Sequence, residues 1–194
     1  MFYVVNHDYR FVWVVVHKVA SRTFIWALRP PDPNWKYSSA TADKEREPFS
    51  GFDDYFKFAF VRNPWDRLVS TFFDKTKKVV GTKYEIPYYA RYRDASFSEF
   101  VRSLTNVDLS SADRHIKEQV QSIPKNVDFV GRFENLQKDI NYVCDKVGLP
   151  HQKLPYENKT DHKPYWKYYD DETRQIVAKK YKNDIETFGY EFGK

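Results

Sequence analysis

Hydrophobic positions along this chain fall into two rhythms. Residues 10–16 are almost wholly valine and aromatic after Arg10, and residues 55–61 form a second apolar run of the same kind. Such runs read as strands buried on both faces of a sheet, as in parallel arrangements. Residues 127–130 give a third, shorter run, and residues 2–5 a partner strand joined through the turn Asn6-His7-Asp8. Between the runs the rhythm becomes helical. One helix starts at Ala20 or Ser21 and reaches Leu28, where Pro30 and Pro31 stop it. Another opens with Asn63 as cap and Pro64 in the first position. Trp65, Leu68, Val69, Phe72 and Phe73 then keep the i, i+3, i+4, i+7, i+8 spacing of a core-facing stripe, which carries that helix to Lys78.

Farther along, Ser96 caps a helix to Leu104, with Glu99 completing a capping box. Residues 116–122 predict a short helix. Residues 135–147 predict a longer one, ended by Gly148 and Pro150. The last helix spans residues 170–188, with Asp170, Asp171 and Glu172 at its positive end. Residues 30–54 and 155–169 read as polar loops, and residues 84–93 as an irregular segment rich in Tyr and Arg. Strands separated by helices predict the α/β class, with a mainly parallel central sheet flanked by helices. A length of 194 residues fits one domain over residues 1–194.

Composition narrows the picture. With 41% hydrophobic and 30% charged residues the chain is globular rather than disordered. The 32 Lys and Arg against 27 Asp and Glu leave a net charge of +5, which suits an anionic cofactor or substrate. The two signs are interspersed, so nucleic acid is not called for. Cys144 is the single cysteine, which excludes an intrachain disulfide and reads as a small buried hydrophobe. A reducing, cytoplasmic setting is the expectation. No apolar stretch is long enough for a bilayer, and the signal-peptide order of basic, apolar and small residues is missing.

Chemistry concentrates where the first two strands run into helices. Lys18 leaves the first strand at its carboxyl end, the usual ligand edge of such sheets. Val19 and Ala20 follow, then Ser21, Arg22, Thr23 and Phe24 open the helix. Small residues let a phosphate approach the backbone amides, and the hydroxyls add donors. Cations at a helix start are unfavourable by themselves, so Lys18 and Arg22 together call for a bound anion. Arg62 stands at the equivalent place after the second strand, and Ser70 lies two turns into the next helix. A guanidinium fork with a hydroxyl grips phosphate well; Arg67 is the competing cation. Two such corners predict a ligand with two separated phosphates. The loop G-x-x-x-x-G-K-[ST] is absent, and no glycine precedes Gly51. That speaks against kinases and GTPases of the common design. A nucleotide or nucleoside kinase with an atypical P-loop remains the alternative, and a basic, aromatic nucleic-acid-binding module a third reading.

The two corners together resemble the signatures of sulfotransferases that use 3′-phosphoadenosine-5′-phosphosulfate. Residues 17–24 (His-Lys-Val-Ala-Ser-Arg-Thr-Phe) resemble the 5′-phosphosulfate loop, and residues 60–70 the 3′-phosphate element, whose Arg and Ser are Arg62 and Ser70. Residues 128–136 and the tail from Tyr168 to Tyr190 resemble the carbohydrate-type group, sulfotransferase family 2. His17 departs from a proline common in that group, and the luminal anchor and multiple cysteines of animal members are missing. The resemblance implies a P-loop-like nucleotide-binding fold. It also implies sulfuryl transfer from that donor to an acceptor hydroxyl or amine, with a hydroxyl on a glycan favoured, leaving 3′,5′-adenosine bisphosphate. Lys18 would stabilise charge on the bridging oxygen. Residues 18–24 would hold the 5′-phosphate, and Arg62 with Ser70 the 3′-phosphate. No metal is implied, and no membrane or nucleic-acid partner.

A general base must take the acceptor proton. Many sulfotransferases place a His or Glu between the two cofactor elements; here Glu45, Glu47, Asp53 and Asp54 are the options in that interval. His115, four residues before Gln119, matches a His and Gln spacing of the family and is favoured for a site role. The Asn158-Lys159-Thr160 stretch is a candidate nucleotide cover. Trp35, Tyr37, Tyr84, Tyr88, Tyr89 and Tyr92 are candidates to face an acceptor sugar.

Overall fold

The apolar runs become the strands β1 (Phe2–Asn6), β2 (Phe11–Val14), β4 (Phe56–Val61) and β5 (Phe129–Arg132). A further strand, β3 (Ser38–Thr41), lies inside the interval that reads as a loop in the sequence. They form one sheet in the order β3-β1-β2-β4-β5. Neighbours β2–β4 and β4–β5 are parallel, whereas β1 pairs antiparallel with both β2 and β3. The parallel part is therefore the side that carries the candidate chemistry, and a hairpin extends the sheet on the other side. The computed structural model describes residues 2–28, 38–41, 49–154 and 163–194.

Two compact units make up the chain: Met1–Arg62 with Gln119–Asn158, and Asn63–Glu118 with Lys159–Lys194. In the first, the sheet is covered by α1 (Ser21–Ala27) and α5 (Leu136–Val147). Phe11, Trp13, Phe24, Phe58 and Phe60 pack with Ile140, Val143 and Cys144. Phe24 meets Phe60 at 4.2 Å between ring centroids. Gly131 lies against the Phe60 ring so closely that a Cβ there would collide with it. α5 ends as predicted, with Gly148 in the left-handed region at φ 76°.

The second unit is helical. The predicted cap holds: Asn63 Oδ1 accepts from the Trp65 amide, with Pro64 following, and α2 (Pro64–Phe72) begins there. The helix does not continue in α form to Lys78; residues Phe73–Lys78 widen into a π-helix, and the Val79 amide closes on the Asp74 carbonyl. α3 (Pro87–Ala90) orders part of the Tyr/Arg-rich segment. α4 (Phe97–Ser103) carries the full Ser96/Glu99 capping box. The last predicted helix is two, α6 (Asp171–Lys180) and α7 (Lys182–Phe188), broken at Tyr181. Trp65, Leu68, Val69 and Phe72 of α2 bury against Phe97, Phe100, Val177 and Tyr181. Among the described residues no helix is long and apolar enough to cross a membrane.

Candidate active site

In the first unit the carboxyl ends of β2, β4 and β5 lie side by side. Register sets this: Val14 pairs with Ala59, and Val61 with Arg132. The residues that follow each strand, Lys18, Arg62 and Phe133, therefore gather at one edge.

The first corner is strained. Lys18 and Ala20 both adopt left-handed backbone, at φ 71° and 68°. Such angles cost an L-residue roughly 1–2 kcal/mol each. Alternating handedness turns successive amides to one side and makes an anion-binding concavity. The Thr23 and Phe24 amides bond to the Ala20 carbonyl at 2.9 and 3.2 Å, closing the first turn of α1. Those two amides are thus already engaged. The amides of Val19, Ala20 and Ser21 have no hydrogen-bond partner among the described residues. The Ser21 hydroxyl, expected to face a ligand, donates to the Val16 carbonyl at 3.2 Å and ties the loop across its base. The Phe24 side chain is fully buried in the core, so only its backbone belongs to the corner. Arg22 is exposed beside it.

Opposite constraints hold the second corner. Arg62 is buried, and both backbone groups are clasped by the Gln119 side chain. The Arg62 amide donates to Gln119 Oε1 at 3.0 Å, and Gln119 Nε2 donates to the Arg62 carbonyl at 2.9 Å. A carboxamide thus continues the sheet pairing past the end of β4. The Arg62 guanidinium stacks over the Phe133 ring, 3.9 Å from its centroid, and Nη1 donates to the Lys18 carbonyl at 3.2 Å. The two cationic corners predicted from sequence therefore meet through a direct bond. Gln119, expected in a site role, acts on the backbone of Arg62, and Phe133 is a stacking partner that sequence reasoning did not single out.

Asp53 and Asp54 precede β4 and are exposed at its other end, with Asp54 paired to Arg10. The six residues of β4 separate them from Arg62, about 20 Å along an extended strand. Neither belongs to the Lys18–Arg62 edge. Glu45, Glu47, Trp35, Tyr37 and the Asn158-Lys159-Thr160 stretch lie outside the described residues.

In the second unit Ser70 is buried on α2. Arg67 is also buried, and its guanidinium donates to the Lys117 and Arg114 carbonyls at 2.9 and 3.2 Å. His115 is buried, and its Nδ1 lies 2.6 Å from Asp113 Oδ1. Tyr89 is buried under the same carboxylate, to which its phenol donates at 2.7 Å. Burial alone would raise the Asp113 carboxyl, but hydrogen bonds from His115 and Tyr89 outweigh it and hold the group well below the usual carboxylate range. Burial, then the Asp113 contact, drives the Tyr89 phenol far above its ordinary value, so it stays a donor. Among the described residues no group of three or more His, Cys, Asp or Glu is placed to hold a metal ion.

The chain belongs to the sulfotransferase family, whose sequence model matches residues 2–191. It is similar to carbohydrate sulfotransferase 14 of Danio rerio, at 33% identity over 162 residues, covering 70% of this chain and 44% of that protein. Similarity to carbohydrate sulfotransferase 9 of Homo sapiens is 27% over 158 residues, covering 71% of this chain and 34% of that protein. An uncharacterized protein of Archaeoglobus fulgidus is 34% identical over 104 residues, which is 52% of this chain and 74% of the relative. The chain thus spans less than half the length of these carbohydrate sulfotransferases. No solved structure matches it.

Proposed function

We propose that this protein transfers a sulfuryl group from 3′-phosphoadenosine-5′-phosphosulfate to a hydroxyl of a carbohydrate, on a P-loop-like nucleotide-binding scaffold. The observation that carries this reading is the bond from Arg62 Nη1 to the Lys18 carbonyl, at 3.2 Å. One edge of the sheet presents a fixed guanidinium and, beside it, a strained loop with amides to offer. That is the demand of a ligand anionic at two places. Membership of the sulfotransferase family supplies the reaction class, and the names of the similar proteins supply the carbohydrate acceptor.

The donor supplies an activated sulfuryl group; the chain's own residues position and neutralise. Amides of Val19, Ala20 and Ser21, with Arg22, receive the 5′-phosphate. Thr23 and Phe24 contribute by fixing the first turn through the Ala20 carbonyl. The Lys18 ammonium offsets charge that builds on the bridging oxygen as the bond to sulfur breaks. Arg62 receives the 3′-phosphate with the Ser70 hydroxyl. His115 takes the proton of the acceptor hydroxyl.

Incubation with a sulfate-labelled donor and a panel of desulfated polysaccharides tests the proposal. Transfer of label to at least one of them, without added metal, is expected. Label release only as free sulfate, or magnesium-dependent turnover of ATP instead, would refute it.

A further inference from the structure

The segment that presents His115 is held more tightly than a loop requires. Its four consecutive carbonyls each receive a side-chain donor: Arg114 and Lys117 from Arg67, His115 from the Thr71 hydroxyl at 3.0 Å, and Ile116 from the Tyr181 phenol at 2.7 Å. Those donors come from α2 and from the break between α6 and α7. Inside this frame Asp113 Oδ1 accepts three donors: the His115 amide at 3.0 Å, His115 Nδ1 at 2.6 Å and the Tyr89 phenol at 2.7 Å. The amide bond alone would be an ordinary turn motif. The ring contact is something else, because an ionised carboxylate only accepts and therefore fixes the imidazole proton on Nδ1. The neutral ring then carries its basic lone pair on Nε2.

We propose that Asp113 is the positioning residue that sets the tautomer of His115 for proton abstraction, and that Tyr89 holds Asp113 in place for that task. The inference takes its reaction from the sulfuryl-transfer reading above and its geometry from the second unit alone. In the step it serves, the acceptor O–H proton moves to Nε2. The acceptor oxygen forms its bond to sulfur while the S–O bond to the nucleotide phosphate breaks, and that oxygen leaves with the electron pair. The imidazolium so formed stands against the Asp113 carboxylate. Among the described residues, the other titratable or charged groups around the segment include Tyr88 and Tyr89 on α3, Arg67 on α2, Tyr181 at the end of α6, Asp184 on α7, and Arg114, Lys117 and Glu118 in the segment itself.

Four variants of the full chain, His115→Ala, Asp113→Ala, Asp113→Asn and Tyr89→Phe, test this. Two readouts are followed: pH-dependent transfer of labelled sulfate to a desulfated polysaccharide, and ring-nitrogen NMR of His115. Wild type is expected to show the Nδ1–H tautomer. H115A is expected to lose about 10²–10⁴ in kcat, and D113A to come within about tenfold of it with the donor KM unchanged. D113A releases the ring to the Nε2–H form. Asparagine keeps the acceptor oxygen, so D113N keeps the tautomer. It loses the charge behind the imidazolium, so the acidic limb of kcat moves to lower pH and kcat falls roughly tenfold. Y89F loses a few-fold. An Nε2–H ring in wild type, or D113A turning over within twofold of wild type while H115A is inactive, would overturn the inference. Should D113A fail to fold, D113N and Y89F decide by the same pH and NMR criteria. Absence of any sulfate transfer by wild type would instead overturn the functional reading, and the NMR arm would still decide the tautomer.

Discussion

Two strand-to-helix corners sit at one sheet edge and solve opposite problems. At the corner after β2, backbone is left uncommitted: Lys18 and Ala20 take left-handed angles, and three amides have no bond among the described residues. At the corner after β4, backbone is sealed: Gln119 satisfies both polar groups of Arg62, and Phe133 lies under its guanidinium. The first corner offers main chain, the second only a side chain. The difference shows how a strained strand-to-helix loop can be built without glycine. Strain at L-residues is tolerated where the neighbouring corner is over-determined and the Ser21 hydroxyl ties the loop to Val16.

Substitutions can break the comparison corner by corner. The largest effect is expected from Lys18→Ala, which on the proposed reading removes charge stabilisation at the leaving oxygen: about 10²–10³ in kcat, roughly 3–4 kcal/mol of barrier. Unfolding stability should be nearly untouched, which steady-state kinetics beside urea titration will show. Gln119→Leu attacks the second corner instead. It leaves a buried N–H and C=O unpaired, for an expected loss of about 2–4 kcal/mol in urea unfolding. Unchanged stability would mean that the clasp carries nothing. Ala20 tests strain directly. Ala20→Gly should stabilise by about 0.5–1 kcal/mol, and Ala20→Val should destabilise by about 1–3 kcal/mol, since a β-branched residue tolerates positive φ poorly. Both follow from thermal or urea melts. Cys144, packed in the core behind both corners, should do nothing: burial first, then Asp145, pushes its thiol up to about 11. It should resist thiol reagents at pH 8 until the protein unfolds.

Much of this was legible in residue order. Continuous apolar runs gave β2 and β4, and Asn63-Pro64 and Ser96/Glu99 marked helix starts that the structure keeps. Lys18 and Arg62 stood out because each follows a buried strand and precedes a helix, and the structure joins them through the Lys18 carbonyl. Less visible features depend on tertiary contact. β3 is four residues of Ser, Ala and Thr that pair with β1 and carry no period of their own. The break at Tyr181 lies in an unbroken helical pattern, where its phenol reaches the Ile116 carbonyl. The left-handed loop was hidden because no glycine announces it. Arg67 read as a rival phosphate ligand; only the fold reveals the carbonyls it meets. Asp113 stands two residues from His115 and was within reach of inspection, whereas Tyr89, 24 residues from Asp113, was not.

Titration calorimetry with 3′,5′-adenosine bisphosphate bears most directly on the paired corners. Wild type should bind one equivalent with saturable, micromolar affinity, and joint Lys18→Ala and Arg62→Ala substitution should abolish the signal in a protein that still melts cooperatively. Binding that survives the double substitution, or no saturable heat from wild type, would contradict the account.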